Sequence, residues 1–218
     1  MSRGRNSPIR RPRNPQPLRR VIRVHAEGDV TEPRYLEELG RRHRDRVRID
    51  IGETGAVPET LVDRACRDMD KSRIRRREGP LYDEIWCVFD VDEHPNLKGA
   101  INRALQKKVK LAVSNPCFEL WLILHFQDQT AYISGHDAQR LAKRREIMEG
   151  KEVRPEMFGQ LENCYESAKQ RAKTLDKKHD GDGSPPRSNP STGMWRLIDS
   201  IRQLPARAKR VGEHRRTA

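Results

Sequence analysis

The sequence has no long hydrophobic run and few hydrophobic residues overall. Only 34% of its 218 residues are hydrophobic, against 35% that are charged, and no run approaches the roughly 18 consecutive apolar residues that a membrane span needs. The arginine-rich N-terminus is not followed by the apolar segment of a secretory signal. These absences predict a soluble, cytoplasmic protein without a membrane partner, with a compact core and a heavily ionised surface.

Cysteines are also scarce. The four are Cys66, Cys87, Cys117 and Cys164, and they lie too far apart to form the CxxC pairs of a zinc site or the dense pattern of a secreted disulfide scaffold. We therefore expect reduced and mostly buried thiols. Nothing in the sequence near Cys117 would lower its pKa, which argues against a nucleophilic role.

Positive charge is in excess, and it is concentrated at the two ends. Of the net charge of +13, residues 1–20 carry +7 and residues 205–218 carry +4, which leaves +2 for the rest. Flexible basic arms suit contact with nucleic-acid phosphates, because each neutralised phosphate releases counterions. Solvated tails without a specific partner are the alternative explanation.

The central part of the chain alternates between apolar strands and amphipathic helices. Strands are predicted at 21–26, 47–51, 84–89 and 110–114, with intervening helices that begin at Thr31 (as N-cap), near Pro58 and near Ala100. This alternation predicts an α/β fold with a mostly parallel four-stranded sheet flanked by helices. Ligands are expected at the carboxyl ends of its strands.

After residue 115 the pattern becomes helical. The stretch CFELWLILHF predicts a buried helix with Asn115 as its cap, and HDAQRLAKRREIM predicts a basic surface helix. A long helix is predicted over 158–175, a loop over 180–193, and a last helix that buries positions up to Leu204. We therefore divide the chain into a disordered basic arm (1–19), an α/β core (20–126), a helical extension packed on the core (127–204) and a basic tail (205–218).

Carboxylates cluster where two of the predicted strands end. Glu27 follows the first strand, and Asp90 and Asp92 follow the third within the stretch FDVDEH. Packed carboxylates repel one another unless a cation lies between them, and Mg²⁺ prefers such oxygen ligands. The sequence thus predicts a site for Mg²⁺ (or Mn²⁺) on Glu27, Asp90 and Asp92. A simple polar turn with Asp92 or Asn96 as a helix cap is the alternative.

Five further residues are candidates for the surroundings of this site: Glu32, Glu93, His94, Asn115 and Glu119. Glu32 is also explained by the helix dipole, and a histidine in a turn such as His94 is often simply solvated. Glu119 lies in so apolar a segment that it must be paired, protonated or directed at a site. Asn115 and Glu119, at helical spacing after the fourth strand, are predicted to face the same cleft.

Several ordered motifs resemble one known family. The stretches AEGDVTEPRYLEEL, IWCVFDVDEH, SNPCFELWLILHF and NPST are together similar to the RloB-like family, over about residues 20–204. The resemblance implies a Toprim-like core, and it implies genes placed beside those of type I restriction-modification systems. Toprim domains of topoisomerases, primases and OLD-type nucleases carry a glutamate after the first strand and a DxD pair after a later one. By this resemblance Glu27 is the glutamate, and Asp90 and Asp92 are the pair. These three are the predicted catalytic residues: Glu27 as general base or metal ligand, and Asp90 and Asp92 as ligands of the Mg²⁺ that activates water.

Together these observations predict a metal-dependent nuclease that acts on nucleic acid, with DNA favoured over RNA. Its expected role is restriction or anti-phage defence, and its possible protein partners are restriction-modification or defence proteins. The residues expected to grip the phosphate backbone are Arg73, Arg75, Arg76, Arg77, Lys107, Lys108, Lys143, Arg144 and Arg145. A non-catalytic Toprim module that binds nucleic acid or a partner protein is the main alternative. A protein that binds or processes a small nucleotide is another.

Overall fold

A computed structural model of the chain describes residues 19–74, 81–91, 97–182 and 187–203. Its elements, in chain order, are β1 (Arg20–Ala26), α1 (Thr31–Arg42), β2 (Val47–Thr54), α2 (Pro58–Ile74), β3 (Glu84–Asp90), α3 (Leu97–Lys107), β4 (Lys110–Asn115), α4 (Glu119–Leu124), α5 (Gly135–Arg144), β5 (Met148–Glu149), β6 (Glu152–Val153), α6 (Met157–Asn163), α7 (Tyr165–Asp182), β7 (Ser191–Thr192) and α8 (Met194–Arg202). The predicted terminal arm and tail lie outside these residues, except for residue 19.

The sheet has five strands in the order β2-β1-β3-β4-β7. The four predicted strands are present and parallel to their neighbours, which confirms an α/β fold with a mostly parallel sheet. A fifth strand, β7, was not predicted, and it pairs with the end of β4 in antiparallel orientation. Its Thr192 hydroxyl lies 3.0 Å from that of Ser114. The NPST motif therefore attaches the segment before α8 to the end of β4.

Hydrophobic residues cover the sheet on both faces. Alternate residues of β3, such as Cys87 and Phe89, pack against α2 and α3. The residues between them, such as Trp86 and Val88, share a cluster with α1 and with the helices from α4 onward. Because β3 is buried on both sides, its sequence is almost continuously apolar, as is typical of a central parallel strand. The helices after β4 therefore complete the same hydrophobic cluster as the sheet.

The thiols behave as expected: Cys66, Cys87 and Cys117 are buried, Cys164 is half-buried, and all four are free. None of the helices in the described ranges is long and apolar enough to cross a membrane. Trp86 and Trp121, two of the largest apolar side chains, are buried in the core.

Four local predictions were wrong. Thr31 does not cap α1 but begins it, because its hydroxyl instead donates to the Lys151 carbonyl at 2.7 Å. Asn115 does not cap a helix either: it ends β4, and α4 begins only at Glu119. The long helix over 158–175 is divided at Cys164 into α6 and α7, and the predicted loop over 180–193 begins only after α7 ends and contains β7. Leu204 lies outside the described residues.

Candidate functional site: an acidic cleft at the strand ends

The ends of β1 and β3 bring two of the predicted acidic residues into contact. The strands are in register from Ile22 to Ala26, and the Glu27 amide continues the ladder by donating to the Val88 carbonyl at 2.9 Å. The Glu27 carboxylate accepts a hydrogen bond from the Asp90 backbone N–H at 3.0 Å. Residues 63 positions apart thus meet because adjacent parallel strands end at the same edge of the sheet.

Two more carboxylates, those of Glu32 and Glu119, line the same cleft. The cleft has a volume of about 370 Å³ and is lined by Glu27, Gly28, Asp29, Val30, Thr31, Glu32, Asp90, Phe118, Glu119, Gln139, Lys143, Met148, Gly150 and Lys151. Glu32 comes from the first turn of α1, and Glu119 begins α4. Both are almost fully buried, with 5% and 8% of their surface exposed. We call this site the acidic cleft.

The crowding of carboxylates makes ionisation costly. Burial raises the pKa of Asp90 well above its ordinary value, and the charges of Glu32, Glu119 and Glu27 raise it further, against a hydrogen bond from the Phe118 backbone. Burial likewise raises the pKa of Glu32, and Glu119 and Glu27 add to the effect. Groups with strongly raised pKa values in a cleft are typical of functional sites, where a cation or a proton relieves the repulsion.

The sequence profile of one protein family, described as RloB-like protein, matches residues 22–201. The chain belongs to the RloB-like family. The matched segment contains all five carboxylates that line the acidic cleft, Asp29 included, so the cleft lies within the part that the family shares. No curated protein and no solved structure matches the chain significantly.

Gly28 gives this RloB-like protein the space for its buried Glu32. A Cβ atom at position 28 would collide with the Glu32 carboxylate. The residue after Glu27 therefore has to be a glycine if the Glu32 carboxylate is to lie against the end of β1. This contact explains the Glu-Gly pair in physical terms.

We expect Gly28→Ala to displace the Glu32 carboxylate and to destabilise the protein by about 1–3 kcal/mol, the usual cost of overpacking. The effect should be measured by denaturant unfolding in a double-mutant cycle with Glu32→Ala, which removes the colliding group. If the collision is the cause, Gly28→Ala should cost much less in the Glu32→Ala background. Equal costs in both backgrounds would contradict this explanation.

Positive and polar side chains line the other side of the acidic cleft. Lys143 and Gln139 come from the surface of α5, and Lys151 comes from the turn between β5 and β6. The hydrogen bond from Thr31 to the Lys151 carbonyl ties this turn to α1. Only Lys143 was predicted. The glycine-lysine turn at 150–151 between apolar Met148 and Val153 was the available sequence signal for the hairpin that presents Lys151.

The other predicted residues do not gather at this cleft. Asn115 does not line it, and its side-chain amide donates instead to the Arg187 carbonyl at 2.7 Å. Arg73 and Lys107 lie together at the amino-terminal edge of the sheet, where both contact Asp70. Lys108 follows Lys107 at that edge, and the exposed Arg144 and Arg145 lie at the end of α5. The predicted residues that fall outside the described part of the chain are Asp92, Glu93, His94, Arg75, Arg76 and Arg77.

Cys117 borders the acidic cluster but is not suited to nucleophilic attack. Burial raises the pKa of its thiol, and the nearby charge of Glu119 raises it further. The thiolate, which is the reactive form, is therefore disfavoured. The structure supports the sequence-based argument against a catalytic cysteine.

The donor set of the acidic cleft has the chemistry that a hard divalent cation requires, because its candidate ligands are all carboxylate oxygens. Within the described ranges, no group of three or more histidine, cysteine, aspartate or glutamate residues is arranged to hold an ion. Asp92, the third predicted ligand, lies beyond those ranges. The raised pKa of Asp90 supports the fit, since a cation beside it would stabilise the charged carboxylate.

Proposed function

We propose that this RloB-like protein is a Toprim-type nuclease that hydrolyses phosphodiester bonds with the help of Mg²⁺ or Mn²⁺. The observation that carries the proposal is the convergence of Glu27, Glu32, Asp90 and Glu119 on one cleft at the carboxyl ends of parallel strands. Ligands of α/β proteins bind at this end of the sheet. A cluster of carboxylates that repel one another has no evident structural benefit unless a cation binds there.

In this proposal Glu27, Asp90 and Asp92 hold the metal. Glu27 is held against the end of β3 by the hydrogen bond from the Asp90 amide. When bound, Mg²⁺ would act as a Lewis acid that offsets the negative charge of the phosphate. This function requires ionised ligands, and the metal itself would favour their ionisation.

Glu32 is the candidate for proton transfer. Burial and the neighbouring carboxylates raise its pKa, and a carboxylate whose pKa approaches the working pH can accept a proton from an attacking water. Glu27, the candidate base from the sequence, would then be a ligand only. Gly28 keeps the Glu32 carboxylate against the end of β1.

The substrate in this proposal is a nucleic acid, with DNA favoured over RNA. Lys143 and Lys151 line the acidic cleft together with the carboxylates and would bind the phosphates on either side of the cleaved bond. The basic ends of the sequence would add contacts to the backbone. The family resemblance supports a cytoplasmic role in restriction or anti-phage defence, with a restriction-modification or defence protein as partner.

We expect the purified protein to cleave at least one of supercoiled plasmid, linear DNA, single-stranded DNA and RNA in the presence of Mg²⁺ or Mn²⁺. Glu27→Gln is the sharpest variant, because glutamine can still accept the hydrogen bond from Asp90 but is a much poorer metal ligand. Cleavage should be lost both in this variant and in EDTA. If no substrate is cleaved but salt-sensitive binding is intact, the protein is a non-catalytic nucleic-acid-binding module instead.

A further inference from the structure

A second and larger cleft lies beside β4 and shares no lining residue with the acidic cleft. It has a volume of about 840 Å³. Its lining residues come from β3, from the end of α3 through β4, from α7, and from the segment that forms β7 and α8. We call it the basic cleft, because Lys108, Lys110, Arg187 and Arg196 line it. Neither the family match nor the proposed nuclease activity gives it a role.

Three acids, Glu84, Asp176 and Asp180, also line the basic cleft, so one of its four cations is left without a compensating charge. Glu84 is paired with Lys110 at 2.9 Å and with Arg20 at 2.6 Å, and Asp176 is paired with Arg196 at 2.9 Å. Among the described residues, Arg187 and Lys108 form no ion pair within 4.0 Å. Burial, together with the charge of Arg196, lowers the pKa of Arg187. A half-buried guanidinium beside a second arginine is a natural site for an anion.

Both of these cations also adopt unusual backbone conformations. Lys108 and Arg187 have φ values of 63° and 66°, in the left-handed region where glycine is the residue expected. Long charged side chains are thus present at two positions where the backbone would favour a residue without a side chain.

Two buried polar groups in the basic cleft have no hydrogen-bond partner within the described part of the chain. They are the Ser191 hydroxyl and Nδ1 of His179, on residues that are 4% and 5% exposed. Nε2 of His179 must donate to the Pro190 carbonyl at 2.9 Å, so Nδ1 of the neutral ring is an acceptor. Buried polar groups are rarely left unpaired, and here a ligand can supply an acceptor for Ser191 and a donor for His179.

An apolar wall completes the basic cleft. Trp86, Val109, Leu111 and Val113 line it, together with Leu105, which is 61% exposed although it is a large hydrophobic residue. Trp86, Val109 and Val113 are almost fully buried, so the apolar surface that a ligand could cover is that of Leu105 and the half-buried Leu111. The volume and the mixed lining are those of a small-molecule site.

We propose that the basic cleft binds a mononucleotide. The phosphate would lie between Arg187 and Lys108 and accept a hydrogen bond from Ser191. A hydroxyl or amino group of the nucleoside would donate to His179, and the base would cover the apolar wall beside Leu105. The site is separate from the acidic cleft, so it can exist whether or not the protein is a nuclease.

The test is isothermal titration calorimetry in EDTA with four probes: AMP, ATP, inorganic phosphate and a 12-nucleotide single strand. Because EDTA leaves the acidic cleft negatively charged, anions should bind there only weakly. We expect AMP or ATP to bind at least about tenfold more tightly than inorganic phosphate, since only nucleotides cover the apolar wall. Arg187→Gln should weaken nucleotide binding by about 10-fold to 100-fold.

Two further variants make the test specific. Ser191→Ala removes a hydroxyl that has no partner in the described part of the chain, so it should not weaken the fold but should weaken nucleotide binding by about tenfold. Arg41→Gln, which removes an exposed cation of α1, should leave binding unchanged. Equal affinity for phosphate and nucleotides, binding of the oligonucleotide alone, or unchanged binding in Arg187→Gln would overturn the proposal.

Discussion

Asp90→Asn is expected to abolish metal-dependent cleavage and, at the same time, to stabilise the metal-free protein at neutral pH. The loss of activity should be at least about 10³-fold, because asparagine cannot supply the negative charge that holds a divalent cation. The gain in stability should be on the order of 1–3 kcal/mol, since the substitution removes a charge that burial and three neighbouring carboxylates disfavour. Asparagine can still accept the hydrogen bond from the Phe118 backbone.

This combination distinguishes a functional carboxylate from a structural one. A structural aspartate that pairs with a cation would lose stability on substitution, as expected for Asp68 with its hydrogen bond to Arg23. Denaturant unfolding in EDTA and the cleavage assay in Mg²⁺ should be run on the same preparations. Asp45→Asn, at an exposed position paired with Arg46, is the matched control and should change neither property appreciably. A destabilised Asp90→Asn protein with full activity would contradict our account of the acidic cleft.

The part of the site that follows from strand order could be predicted from the sequence. Alternating apolar strands and helices imply a parallel sheet, and in such a sheet the residues after each strand lie at one edge. Glu27 and Asp90 meet for this reason. The prediction that Glu119 faces the same cleft as Glu32 also agrees with the structure, although it was made with the wrong start for α4.

The parts that depend on short or irregular segments could not be predicted. β5, β6 and β7 contain two residues each, too few to show any periodicity, yet they deliver Lys151 to the acidic cleft and Ser191 to the basic cleft. Asn115 was misplaced because a polar residue before a proline resembles a helix cap, whereas its amide in fact holds the Arg187 carbonyl. The basic cleft combines residues of β3 and β4 with such segments and with the surfaces of α7 and α8.

The carboxylates of the acidic cleft are expected to favour folding of the metal-free protein increasingly as the pH falls from about 7.5 to about 5. The effect has to be measured against the Asp90→Asn variant, because burial lowers the pKa values of His25, His43 and His125 and these residues oppose it in the same pH range. The pKa values of Asp90 and Glu32 are raised in the folded state above their ordinary values of 3.8 and 4.5. Between the unfolded-state and folded-state pKa values, the folded protein binds more protons than the unfolded chain, so a lower pH favours folding. Stability should fall again below about pH 4. Burial raises the pKa of Asp68, but the charge of Arg23 outweighs it and holds this pKa below its ordinary value. Burial likewise opposes the hydrogen bonds from Ser200 and Lys110 that hold the pKa of Glu84 low.

Mg²⁺ should reverse this trend, because it binds only the ionised carboxylates. In EDTA, the advantage in melting temperature of Asp90→Asn over the wild type should shrink toward lower pH, by about 2–4 °C for each kcal/mol. The increase in melting temperature that millimolar Mg²⁺ gives over EDTA should be largest at pH 7.5 and should vanish near pH 5. At the lower pH, protons compete with the metal for the same carboxylate oxygens. Asp90→Asn should remove most of the response to Mg²⁺. A stability difference between Asp90→Asn and the wild type that is the same at pH 7.5 and pH 5 in EDTA would show that the carboxylates of the acidic cleft are already compensated without a metal.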